Sequence, residues 1–72
     1  MAKQSLELTI LRKGRREAVI SVVADPDDVP ALRDSLQGWL AGNGWSRGRW
    51  GEFEAEVRRA DSGRVLRTVL GG

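Results

Sequence analysis

Apolar and polar residues alternate at the start of the chain. Leu6-Glu7-Leu8-Thr9-Ile10 has the period of two that marks a strand with one buried face. Lys13-Gly14-Arg15 is a turn signal, and a second strand rich in valine and isoleucine follows over 17–24. A three-residue loop pairs Ile10 with Ala18, Leu8 with Ile20 and Leu6 with Val22, which makes one continuous apolar face. A two- or four-residue loop sets Leu8 against Ser21 and Thr9 against Ile20, so the three-residue loop is preferred.

The period changes after Asp25-Pro26-Asp27-Asp28. Val29, Leu32, Leu36 and Leu40 fall on one face at helical spacing, with Trp39 at its edge. The spacing predicts a helix from Asp28 to about Ala41, capped by Asp27 or Asp28, with Pro30 tolerated in the first turn. Gly42 or Gly44, with Asn43, ends it. Gly38 interrupts it at a cost of roughly 1 kcal/mol against alanine, which predicts a close neighbour at that point.

Period two returns over 50–59, where Phe53, Ala55 and Val57 alternate with Glu52, Glu54 and Glu56. Ala60-Asp61-Ser62-Gly63 is a turn, and a fourth strand runs from Arg64 to Leu70. Pairing Arg59 with Arg64 sets Val57 against Leu66, Ala55 against Thr68, Phe53 against Leu70 and Glu56 against Arg67. Apolar then meets apolar and acid meets base. The predicted fold is α+β: a single ββαββ domain over 1–72, with a four-stranded, mainly antiparallel sheet and one helix on one face.

Composition narrows the function classes. Seventy-two residues sit near the lower limit for a self-supporting core, and there is no cysteine to staple it. Histidine and tyrosine are also absent, which removes the usual general base and metal ligand, so neither an enzyme nor a metal or other cofactor is expected. Twelve basic against ten acidic residues leave a net charge of only +2. No apolar run approaches the ~20 residues of a membrane span, and the start of the chain lacks a signal-peptide pattern. A soluble, cytoplasmic protein without a membrane partner is expected.

One helix cannot cover both faces of the sheet. Alternation assigns Leu11, Val19, Val65 and Val69 to the open face, beside Glu7, Thr9, Ser21, Glu52, Glu54, Glu56 and Arg67, and brings Trp50 to its end. That is more apolar surface than solvation requires, and a patch of this kind rimmed by charge suits a protein partner or a self-dimer. The same residues also suit strands on propensity alone.

The stretch from Gly38 to Phe53 holds all three tryptophans and five of the nine glycines. Trp45, Arg47, Arg49 and Trp50 have the make-up of a loop that stacks on bases and holds phosphates. Trp39 and Trp45 serve equally as core volume in so short a domain. The cluster Arg12-Lys13-Gly14-Arg15-Arg16 joins Arg47 and Arg49 in a basic patch if the fold brings both loops to one end.

The order hairpin, helix, two further strands, with Val23-Ala24-Asp25-Pro26-Asp27-Asp28 leading into the helix and Leu70-Gly71-Gly72 at the end, resembles the β-grasp of ubiquitin-like proteins and small sulfur carriers. The resemblance implies a terminal diglycine that is activated by adenylation and becomes a thioester, isopeptide or thiocarboxylate. It would make Gly72 the reactive residue and Gly71 its unobstructed neighbour. The leading expectation is a non-enzymatic protein-binding module using the open face and the tryptophan loop. A modifier or sulfur carrier, and nucleic-acid binding by the Trp–Arg loop, stand beside it.

Overall fold

A computed structural model describes residues 3–72. Strands β1 (Gln4–Arg12) and β2 (Arg15–Ala24) precede the helix α1 (Val29–Gly42). A 3-10 helix (Arg47–Glu52) then leads into β3 (Phe53–Arg59) and β4 (Val65–Leu70). All strand pairs are antiparallel, in the order β2-β1-β3-β4, so the expected α+β, ββαββ class is the observed one. Leu6, Leu8 and Ile10 of β1, with Ala55 and Val57 of β3, bury completely under Leu32, Leu36 and Leu40 of α1. The two central strands therefore supply the sheet's half of the core.

Helix α1 is capped as its sequence requires. The Asp28 carboxylate accepts the Ala31 amide at 3.2 Å, and the Asn43 side-chain amide donates to the Trp39 carbonyl at 2.8 Å. Gly38 has no close neighbour: a Cβ built there meets nothing within 4 Å. The expectation of tight packing at this glycine is thus corrected.

In the first hairpin, Ile10 pairs with Ala18, Leu8 with Ile20 and Leu6 with Val22, as expected. The connection differs. Arg12 pairs with Arg15 across a two-residue turn, Lys13-Gly14, both with positive φ. That geometry matches the twist of the strands and favours glycine at the second position. A bulge at Glu17 then adds the residue that restores the apolar register.

The second hairpin departs further. Arg58 pairs with Val65, but after a bulge at Leu66 the pairs are Val57–Arg67, Glu56–Thr68, Ala55–Val69 and Glu54–Leu70. The expected register holds next to the turn, where Arg59 meets Arg64, but every expected pair beyond the bulge is displaced by one residue, which exchanges the two faces of β4 over 67–70. Val69 is buried in the core and Leu70 is exposed, the reverse of the sequence reading. Arg67 reaches Asp27 at 3.5 Å instead of Glu56, which pairs with Arg58 at 2.7 Å.

The cause lies beside Phe53. The Gly71 amide donates to the Phe53 carbonyl at 2.9 Å, so Gly71 occupies the inward position there. The 3-10 helix fills that space: a Cβ at residue 71 would stand 2.5 Å from the Trp50 carbonyl oxygen and 3.3 Å from Leu40 Cδ1. Leu70 cannot sit in that slot, and a glycine can. The one-residue shift also brings Val69 rather than Thr68 opposite the fully buried Ala55. Burying a valine side chain contributes ~1.5–3 kcal/mol, whereas a hydroxyl left unpartnered there costs about 1–3 kcal/mol. The bulge at Leu66 absorbs the shift.

The two glycines should respond in opposite directions to alanine. Gly38→Ala should raise the unfolding free energy by about 0.5–1 kcal/mol, and Gly71→Ala should lower it by about 1–3 kcal/mol through overpacking. Urea denaturation of both variants measures this, and equal effects would mean that residue 71 has room to spare.

Candidate functional site

The chain reverses after α1 through Asn43-Gly44, and the Trp45 amide closes the turn on the Leu40 carbonyl at 3.0 Å. This carries the Trp45 ring back over the end of the core. Its centroid lies 4.9 Å from that of Phe53 in an edge-to-face arrangement, and Trp39 approaches Phe53 at 6.4 Å from another side. Phe53 is 1% exposed beneath them. Trp50 is not on a strand. It lies in the 3-10 helix, packs against the core, and donates its indole N–H to the Trp45 carbonyl at 2.9 Å. The three tryptophans are therefore the plug that closes one end of the domain, and Trp50 is removed from the open face.

Arginines cover this plug from outside. The Arg12 guanidinium stands 4.8 Å over Trp45, Arg49 is 5.8 Å from the same ring, and Arg47 is 5.5 Å over Trp50. Glu52 ties them together. Its carboxylate accepts Arg12 Nε at 3.1 Å and Arg49 Nε at 2.6 Å, with Lys13 Nζ at 3.9 Å. β1 ends where β3 begins, with Arg12 opposite Phe53. The hairpin tip and the tryptophan loop therefore share one end of the molecule, and the conditional basic patch of the sequence reading is formed.

The open sheet face has a different character. Val19 and Val23 on β2, and Val65 and Leu70 on β4, are 48%, 68%, 42% and 58% exposed. With Leu66 at the bulge, they are the exposed large apolar side chains of the described residues. They line the two edge strands. Between them the central strands carry Glu7, Thr9, Leu11, Glu54, Glu56 and Arg58, with Leu11 half-buried and Thr9 buried. Glu56 is neutralised by Arg58, which also donates to the Gly63 carbonyl. Among the described residues Glu7 and Glu54 have no ion-pair partner.

The expected binding residues thus divide. Leu11, Val19 and Val65 lie on the open face; Val69 is core; Trp45, Trp50, Arg47 and Arg49 belong to the plug at the end. Val23 and Leu70 complete the apolar edges and were missed. Val23 was legible, because it continues the Val19-Ser21 alternation. Leu70 was not, because its exposure depends on the bulge. Gly71 is buried, its carbonyl accepting from the Gln37 side chain at 2.9 Å, and Gly72 packs against Gly51. Gly71 is thus held against the 3-10 helix, while Gly72, the position that the β-grasp resemblance makes reactive, is exposed beside Gly51.

Comparison with protein-family models, curated proteins and solved structures finds no match for this chain. Among the described residues no helix is long and apolar enough to cross a membrane.

Hydrogen bonds from Arg49, then from Arg12, hold the Glu52 carboxyl below the usual carboxylate range, against a smaller opposing effect of desolvation. A depressed folded-state pKa stabilises above the unfolded value of about 4.3, and that contribution is lost as pH falls through the folded value. Glu52→Gln should therefore be less stable than the wild type at neutral pH. The gap should close as pH falls below about 4. Denaturation of both proteins at stepped pH checks this; a gap independent of pH would show that the ionised carboxylate is not what holds the arginines.

Proposed function

We propose that this chain is a non-catalytic protein-binding module whose open sheet face receives a cationic, partly apolar protein segment. One observation carries the reading: exposed apolar side chains on both edge strands flank two carboxylates, Glu7 and Glu54, that have no ion-pair partner among the described residues. Apolar edges supply area that gains by leaving water. Unneutralised carboxylates between them favour a basic occupant and disfavour an acidic one. Two copies meeting by this same face would set these carboxylates towards each other, which favours a different partner over a self-dimer. The acidic centre also argues against phosphate backbones on this face. A cysteine-free chain suits a reducing compartment, and the cytoplasm is the setting that goes with this reading.

A synthetic peptide alternating lysine with leucine is the first probe, with its glutamate–leucine counterpart as control. In a heteronuclear NMR titration the basic peptide should shift the amides of Thr9, Leu11, Val19, Glu54 and Glu56, and the acidic one should not. Glu7→Lys/Glu54→Lys should fold normally and lose the response. Equal shifts with both peptides, or shifts elsewhere on the surface, would overturn the proposal.

A further inference from the structure

The end of the domain opposite the helix N-terminus collects positive charge. Arg12, Lys13, Arg15 and Arg16 come from the first hairpin, and Arg47 and Arg49 from the 3-10 helix. Glu17 in the β2 bulge, Glu52, and Glu54, which pairs with Leu11 as Arg16 does, are the carboxylates at this end. Six of the twelve basic residues thus stand with three of the ten acidic ones, a local charge of +3 in a chain whose total is +2. A nearly neutral composition conceals a polarised molecule. The opposite end mixes both signs: Asp25, Asp27 and Asp28 in the loop before α1 stand with Arg59, Asp61 and Arg64 around the turn between β3 and β4.

The guanidinium groups at the basic end are oriented as well as numerous. Arg12 and Arg49 each spend only Nε on Glu52, and each rests against the Trp45 ring. Among the described residues their terminal Nη groups have no hydrogen-bond acceptor. Two planar forks are thus fixed on a rigid base with their outer donors free, which lowers the side-chain entropy lost when an oxyanion binds. Arg15, Arg16 and Arg47 have no ion pair among the described residues and add charge around them.

We propose that this end is a phosphate-binding surface for nucleic acid, read through its backbone and independent of base sequence. Arginine supplies five of the six cations, and its fork matches a phosphate's two oxygens. The indole rings do not stack on bases, because Trp45 is committed to Phe53 and Trp50 to the Trp45 carbonyl, with arginines over both rings. The same commitment keeps them from anchoring in a bilayer, which favours a nucleic acid over an anionic membrane. The site borders the open sheet face at Arg16, which lines that face beside Leu11 and Val19, and the variants that test it leave Arg16 in place.

Fluorescence anisotropy of a labelled single strand and of its duplex, titrated between about 50 and 200 mM salt, tests the assignment. Affinity should fall with salt on both ligands and should not depend on base sequence. Arg15→Ala/Arg47→Ala leaves the Glu52 ion pairs intact and should reduce the duplex salt slope by about 2, one per lost phosphate contact. Arg59→Ala/Arg64→Ala, at the other end of the sheet, should leave the slope unchanged. An affinity insensitive to salt, equal losses from both double variants, or binding to phosphatidylserine vesicles without binding to either oligonucleotide would each overturn the proposal.

Discussion

The inward position beside Phe53 admits no side chain, and much of the domain's surface follows from that. Trp50's carbonyl oxygen occupies the space, so the residue whose amide reaches the Phe53 carbonyl must be a glycine. Gly71 meets the requirement. Its placement moves β4 by one residue against β3, forces the bulge at Leu66, buries Val69 and turns Leu70 outward. The apolar edge that β4 presents on the open face is therefore set from inside, by a backbone oxygen of the loop that closes the core.

The same loop links the two candidate surfaces. Trp45 and Trp39 close over Phe53, and the arginines that cover Trp45 come from both the first hairpin and the 3-10 helix. Glu52 offsets part of their mutual repulsion and holds their planes in place. Core closure thus gathers cations at one end as a by-product of covering aromatic rings. The open face, walled off by the sheet itself, keeps its carboxylates and its exposed valines. The result is two chemically distinct surfaces on a very small domain, one suited to cationic protein and the other to phosphate.

Local pattern made much of this legible. Alternation identified both central strands, and the 3.6-residue spacing of Leu32, Leu36 and Leu40 located the helix and its buried stripe. The first hairpin's inward pairs were readable because a wrong register would have opposed apolar to polar residues. In the second hairpin the same criterion favours Leu70 inward, whereas the observed register puts Val69 inward and opposes Val57 to Arg67 and Glu54 to Leu70. What overrides the criterion is a backbone oxygen from a 3-10 helix, which has no side-chain signature. Trp50 was misplaced for the same reason: a period-two reading was extended three residues past the strand's true start. The basic end was legible only as a conditional, since it needed the strand order that places β1 beside β3.

The register of the second hairpin is the central claim, because the identity of the exposed edge rests on it. Inter-strand nuclear Overhauser effects between α-protons and amides of β3 and β4 measure it directly. Cross-peaks should pair Ala55 with Val69 and Glu54 with Leu70. Cross-peaks pairing Ala55 with Thr68 and Phe53 with Leu70 would contradict it, returning Val69 to the open face and leaving Gly71 without its slot.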